Sequence, residues 1–329
     1  MIDHDLPLVE LHRHLDGNVR LETILDLGQE HNLGLPAHDL DALQPYVQVA
    51  EPQPGVMAFI AKFKWQVGVM VDYKAIHRIA FENVEDAKKD GIDYIELRFS
   101  PWFMAEAHHL DPVGVVEAVI DGVAAGQREF GIKVNLIGIL SRTYGPNVAA
   151  KELGALLTQS DRICALDLAG DEANFPAKWF REHFRRARNA NWHITVHAGE
   201  TAGPESVWEA VIGLRAERIG HALRAIEDPD LLTFMLENKI GIESCLTSNV
   251  QTSCVASYPS HPLKQFLEKG LLATINTDDP GISGIDLPYE YTWAAPKAGL
   301  LESQIRQAQA NALEVAFLTS DEKNSLRKK

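Results

Sequence analysis

From Gly91 to the C-terminus the apolar positions repeat one alternation: a short β-branched run, then a longer stretch with apolar residues at helical spacing. The runs at 92–99, 133–140, 163–168, 192–197, 218–221, 240–245 and 271–277 read as strands. Helical stretches cover 113–120, 148–157, 179–190, 205–214, 229–238, 262–269, 286–298 and 302–316. An earlier run, residues 6–12, adds a first strand. Between it and the second, residues 18–90 read as mostly helical, punctuated by Pro36, Pro45, Pro52 and Pro54. The last part of this stretch is amphipathic through Ile76, Ile79, Ala80, Phe81 and Val84.

Strands that alternate with helices pair in parallel, and eight such units close a barrel. The expected fold is α/β, a (β/α)8 TIM barrel with a helical insertion after strand 1 and extra C-terminal helices. A doubly wound open sheet would carry a glycine-rich phosphate loop after an early strand, and neither G-x-G-x-x-G nor G-x-x-x-x-G-K occurs. With no low-complexity segment or linker, residues 1–329 are taken as one domain ending in a charged, frayed helical tail from Asp321 to Lys329.

Composition narrows the class. Hydrophobic residues make up 46% of the chain, enough for a large core, and no segment has the 18 or more unbroken apolar residues of a membrane span. The acidic start, Met1-Ile2-Asp3-His4-Asp5, is unlike an export signal. A formal charge of −15 disfavours binding to nucleic-acid phosphates and suits a neutral or cationic small substrate. Three cysteines, an odd number with no Cys-x-x-Cys pair, suit a reducing compartment, and a cytoplasmic location is expected. Cys164, Cys245 and Cys254 each read as a buried small hydrophobe.

In barrels of this kind chemistry gathers at the C-terminal ends of the strands. There lie His12 and His14, Arg98, Asp167 and Gly170, His197, His221, and Asp278 with Asp279. His12 and His14 are two apart on a strand, so both face one way while Arg13 faces the other. Three histidines and one carboxylate match zinc's ligand preferences, with a position left for water. The other nine histidines fall on helices, loops or strand starts and read as structural or solvated. The H-E-x-x-H protease pattern is absent, as is the H-x-E with P-C-x-x-C pattern of cytidine-type deaminases. The strand-four end offers no lysine to bridge two metals, which favours one ion.

The segments His12-Arg13-His14-Leu15-Asp16-Gly17, Ser100-Pro101, Ala165 to Glu172, Thr195-Val196-His197-Ala198-Gly199-Glu200, Arg218-Ile219-Gly220-His221, Thr247-Ser248-Asn249 and Asn276 to Pro280 recur in order over almost the whole chain. Together they resemble the adenosine deaminase family of bacterial type, within the metal-dependent amidohydrolases. The resemblance implies one Zn2+ per chain on His12, His14, His197 and Asp278. It implies Glu200 as proton donor to the purine ring, with His221 and Asp279 flanking the attacking water. Gly170 and Asp279 would contact the base, and His14 and Asp16 would lie near the ribose. Two positions depart from the family: Ala222 stands where glycine is usual after His221 and is expected to crowd the strand-six end, and Leu246 replaces a proline before Thr-Ser-Asn.

The implied reaction is hydrolytic deamination of adenosine and 2′-deoxyadenosine to the inosine nucleosides and ammonia, in purine salvage, by a monomer or weak homodimer. Displacing ammonia from a purine at neutral pH needs hydroxide, which bound zinc supplies by lowering the water pKa from ~15.7 to ~7. Attack on the ring carbon loads electrons onto the neighbouring nitrogen, and Glu200, three residues past His197, is placed to protonate it. Such a carboxyl must start protonated, which a dry pocket favours. Each assignment competes with a plainer one: Glu200 as a helix N-terminal carboxylate, Asp278-Asp279-Pro280 as a helix cap with Pro at its first position, and Asp16 as a cap near Asn18. His221 competes as a ligand; with four positions filled, it is expected to orient and deprotonate the water. Deamination of adenine or another aminopurine is the alternative, and a non-catalytic purine-binding barrel a third reading, though no ligand is lost. Asp16 favours the nucleoside: adenine-specific relatives tend to carry glutamate there, which would reach one methylene further into the ribose space.

Overall fold

The computed structural model describes residues 2–327. Eight parallel strands pair in sequence order: β1 Val9–His14, β2 Tyr94–Phe99, β3 Lys133–Ser141, β4 Ala165–Ala169, β5 His193–Ala198, β6 Arg218–His221, β7 Gly241–Ser244 and β8 Leu272–Ile275. The ring closes just past β8, where Arg13 and Asp278 form a parallel bridge. There the His14 N–H donates to the Asp278 carbonyl and the Asp278 N–H to the His12 carbonyl, both at 2.8 Å. Lower on the seam, side chains replace the ladder: the Leu11 N–H donates to Asn276 Oδ1 and the Thr277 hydroxyl to Glu10. The molecule is therefore the (β/α)8 barrel expected from the alternation.

Most element edges lie within three residues of those expected, but the helix expected at 113–120 runs on to Phe130, and β1 starts at Val9 rather than at residue 6, beyond Pro7, which has no N–H for a ladder. The insertion is five helices, Leu21–Glu30, Leu40–Val47, Val56–Ile60, Phe63–Gly68 and Tyr73–Lys89. The last is capped by Asp72, whose side chain accepts from the Lys74 and Ala75 N–H groups. Its buried stripe, including Ile76, Ile79, Ala80 and Val84, packs against the long helix Pro112–Phe130. Two expected helices are broken by π-helical turns, at Glu209–Leu214 and Glu290–Ala294. Three short helices that directly follow strands, Pro101–Glu106, Leu246–Gln251 and Pro280–Ser283, carry too few turns to leave a period in the sequence. The tail forms a helix at Ser320–Leu326, capped by Thr319, and residues 328–329 of the expected tail lie outside the described residues. Among the described residues no helix is long and apolar enough to cross a membrane.

Helices cover an apolar layer around the barrel, but its interior is charged. Arg98 on β2 pairs with Asp167 on β4 at 2.8 Å and Glu243 on β7 at 2.7 Å, while Arg218 on β6 pairs with Glu243 at 2.7 Å and also with Glu96. Buried charges persist only when partnered, and each of these arginines answers two carboxylates.

Glu290, in the second π-helical turn, is buried and accepts a bond from the Thr247 N–H at 3.1 Å. Burial is the main force that pushes its carboxyl up to about 8. A carboxyl whose folded pKa exceeds its unfolded value near 4.5 binds its proton more tightly in the folded chain. Its contribution is complete below that value and is lost as pH rises towards about 8. Between pH 5 and 9 the native chain should lose more than about 1 kcal/mol of stability relative to Glu290→Gln, read from paired urea melts. Parallel pH profiles for the two would show that Glu290 does not titrate in this range.

Candidate metal centre

Four side chains from three strand ends meet at the top of the barrel. His12 Nε2 and His14 Nε2 lie 3.1 and 3.2 Å from His197 Nε2, and 3.1 and 3.3 Å from Asp278 Oδ1. The pattern of β1 explains the first pair: His12 and His14 point inward, while Arg13 turns out to Asp90 at 2.7 Å. Asp278 sits past the end of β8 with φ +69, a left-handed backbone that costs a non-glycine residue about 1–2 kcal/mol and aims its carboxylate at the histidines. Its second oxygen accepts from the Ser248 hydroxyl at 2.7 Å.

What stands behind each imidazole sets its protonation. His12 Nδ1 is 2.6 Å from Glu243 Oε2 and His197 Nδ1 is 3.0 Å from Asp167 Oδ2, so each Nδ1 donates its proton outward. Burial opposes ionisation of these carboxylates, but Arg98 and Arg218 hold Glu243, and His197 and Arg98 hold Asp167, well below the usual carboxylate range. Burial lowers His197 to about 3 and lowers His12, so both are neutral. Their Nε2 atoms then face each other as lone pairs at hydrogen-bond distance with no proton between them. Such a contact repels unless a cation shares it. His14 shows the same demand: against the effect of burial, Asp279, Asp16 and Asp278 raise it well above its ordinary value. The donor set of three nitrogens and one oxygen fits a single divalent ion, because ligand bonds of about 2 Å at near-tetrahedral angles span separations like those measured here.

A cavity of about 320 Å³ opens beside the cluster, a size typical of small-ligand sites. His14, Asp16, Gly170, His197, Glu200, His221, Asp278 and Asp279 all line it. Every site residue expected from sequence reaches this wall except His12, which lies behind it as the deepest member of the cluster. Glu200 presents a side chain only 11% exposed, 3.9 Å from His221 Nε2. Burial raises its carboxyl first, with Asp278 and Glu172 adding and His221 and His14 opposing. Asp279 is also raised well above its ordinary value, by burial and then by the charge of Asp278. The helix near Glu200 starts at Pro204 and is capped by Gly203, so Glu200 caps nothing. Asp16 accepts from the Ser100 N–H at 3.1 Å, while the nearest helix begins after Arg20, so Asp16 is not a cap either. The plain reading of Asp279-Pro280 does hold for the backbone: Pro280 begins a helix with Asp279 at its cap position, but the Asp279 side chain makes no capping bond.

Several contributors have a role that the sequence pattern does not assign. Glu243 looks like an ordinary strand residue until the barrel brings it behind His12, where it also meets Arg98 from the end of β2. Glu172 is buried and accepts from the N–H groups of Gly199, Glu200, Thr201 and Ala202, fixing the loop that presents Glu200. A Cβ on Gly17 would lie 1.8 Å from Asp279 Oδ1, and one on Gly220 2.9 Å from His12 Cε1, so these glycines leave room for site groups. The helical insertion supplies Val56, Met57, Phe59, Ile60 and Phe63, the apolar wall of the cavity. Ala222 has φ +53 and follows His221 at φ +64, so the strand-six end is strained at a position where glycine would be at ease.

Comparison with known proteins gives the same picture. The family model for adenosine deaminase matches residues 7–329. An adenosine deaminase of Shigella dysenteriae is 58% identical over 329 residues, covering 100% of this chain and 99% of that protein. Among solved structures, an adenine deaminase from Arthrobacter aurescens superposes with a TM-score of 0.90 at 24% identity, covering 98% of this chain and 97% of that one. An N6-mAMP deaminase from Arabidopsis superposes at 0.84 with 26% identity, covering 98% and 97%. By full-length match to the family model and to a curated relative, this chain belongs to the adenosine deaminase family.

Proposed function

We propose that the chain, acting as one barrel domain over residues 1–329, hydrolyses adenosine and 2′-deoxyadenosine to the corresponding inosine nucleosides and ammonia. The observation that carries this reading is one cavity lined by His14, His197 and Asp278 of the four-donor cluster together with Glu200 and Asp16, with His12 directly behind that wall. His12, His14, His197 and Asp278 would hold one zinc ion, which when bound makes water acidic enough to supply hydroxide at neutral pH. Three free thiols accord with a reducing, cytoplasmic setting.

The residues of the chain divide the remaining work. Glu200, kept protonated by burial, donates to N1 of the purine as the water oxygen bonds to C6. His221 and Asp279 flank that water, and Gly170 with Asp279 faces the base. The amino group then leaves C6 as ammonia, taking one proton of the water, and the other returns to Glu200. Glu172, through its bonds to the 199–202 loop, keeps Glu200 aimed during the cycle. The apolar wall from the insertion excludes bulk water, which strengthens each of these contacts.

Asp16 selects the nucleoside. Its carboxylate is 2% exposed, anchored by the Ser100 N–H and 3.7 Å from His14 Nδ1. A buried acceptor built for a sugar hydroxyl is left unsatisfied by a free base, which therefore binds poorly.

Two outcomes test this reading. Glu200→Gln should retain metal and melting temperature while losing about 10²–10⁴-fold in turnover, because an amide cannot give up a proton and become an anion. Near-native turnover in that variant would move the proton transfer to another group. Steady-state kinetics on adenosine, 2′-deoxyadenosine and adenine should give efficient turnover of both nucleosides and almost none of adenine. Asp16→Ala should lower kcat/KM for adenosine far more than it lowers the melting temperature. Equal use of adenine and adenosine would replace the ribose assignment with a free-base one.

A further inference from the structure

Behind His221, on the side away from the cavity, lies a chain of three hydrogen bonds that the reaction outlined above does not use. We propose that Asn249 and His261 are positioning residues that fix the tautomer of His221 with its proton on Nε2, so that His221 donates a hydrogen bond to the attacking oxygen and does not take a proton from it. The inference rests on the reading that His221 flanks the water.

The direction of every bond follows from one donor that cannot be reversed. The backbone N–H of Leu263 lies 3.1 Å from His261 Nδ1, and a backbone N–H only donates, so that nitrogen accepts. His261 is 2% exposed, and burial, followed by the nearby His221, lowers it to about 3. It is neutral, and its one proton sits on Nε2. That atom is 3.1 Å from Asn249 Oδ1. The reversed amide would set two donors face to face, so the oxygen is the atom turned to His261. The amide NH2 therefore faces His221 Nδ1, at 3.0 Å, and it too can only donate. A neutral imidazole that accepts at Nδ1 carries its proton on Nε2, the nitrogen turned to the cavity between Asp278 Oδ2 at 3.8 Å and Glu200 Oε1 at 3.9 Å.

The barrel uses the group behind each ring to set opposite tautomers. His12 and His197 are backed by carboxylates, which accept from Nδ1 and leave Nε2 a lone pair suited to a cation. His221 is backed by an amide NH2, which occupies the Nδ1 lone pair and leaves Nε2 a donor. This difference explains why a fourth histidine so near the cluster stays outside it, since a protonated Nε2 has no lone pair to offer a metal. The hydrogen-bond directions keep the orienting role that the sequence suggests for His221 and remove the deprotonating one.

The test is long-range 1H–15N correlation on the metal-loaded protein labelled with 15N-histidine, His221 being assigned from its loss in His221→Gln. The expected spectrum shows His221 with a protonated Nε2 and an unprotonated Nδ1. A protonated Nδ1 with a bare Nε2 would overturn the proposal directly. Asn249→Leu, similar in shape and without the donor, should mix the two tautomers. It should also lower kcat for adenosine by about 10–100-fold with KM within roughly twofold and metal content unchanged. A variant that keeps the single Nε2–H tautomer and native kcat would remove Asn249 from the role. The spectrum reads the tautomer whether or not adenosine is the substrate, so failure of the substrate reading and failure of this inference are separately visible.

Discussion

Two neutral imidazole nitrogens, on His12 and His197, are held 3.1 Å apart with lone pairs facing, and much of the barrel serves to make that contact tenable. Nothing apolar could hold the rings this way, because each would rotate to find a donor. Glu243 and Asp167 prevent it by accepting hydrogen bonds from the two Nδ1–H groups, and Arg98 bridges the two carboxylates so that neither is an isolated buried charge. Arg218 answers the remaining oxygen of Glu243 and extends the network to Glu96. Losing one partner of a buried pair costs about 3–5 kcal/mol, so this column is as much a stability element as a chemical one. The charged interior thus follows from what sits on top of it.

The same demand reaches the backbone. His221, Ala222 and Asp278 all adopt left-handed conformations at strand ends, and the side chains of His221 and Asp278 line the cavity there. Closure of the ring pins the most important of them: the Asp278 N–H and carbonyl are both used by β1, so the bond that completes the barrel also seats a carboxylate between His12 and His14. Fold closure and site assembly are here one set of hydrogen bonds.

The eight-fold alternation and the polar residues at strand ends were legible because strand and helix periods are local, and because a barrel sends its strand C-termini to one face. Strand-end position placed His12, His14, His197 and Asp278 among the candidates, the family resemblance picked them out as a set, and the four side chains do converge. Glu243 was not legible, because a single glutamate in a buried strand has no pattern; only the pairing of β6, β7 and β8 puts it under His12. Asn249 was visible as part of Thr247-Ser248-Asn249, yet its partner His261 lies twelve residues on and reads as a loop histidine. The insertion was legible as helices, but its service as the apolar wall depends on how Val56–Ile60 folds over the barrel mouth, which no periodicity encodes. The left-handed backbone at His221 and Ala222 was not legible; the sequence marked only that Ala222 stands where glycine is usual.

The central claim is that these four side chains form a cation site with three nitrogens and a carboxylate oxygen. X-ray absorption at the metal edge, together with elemental analysis of the purified protein, addresses it most directly. The account predicts one zinc per chain with three imidazole nitrogens and oxygen at about 2.0–2.2 Å and no sulfur. A fully active protein without metal, or a coordination sphere containing sulfur, would contradict it.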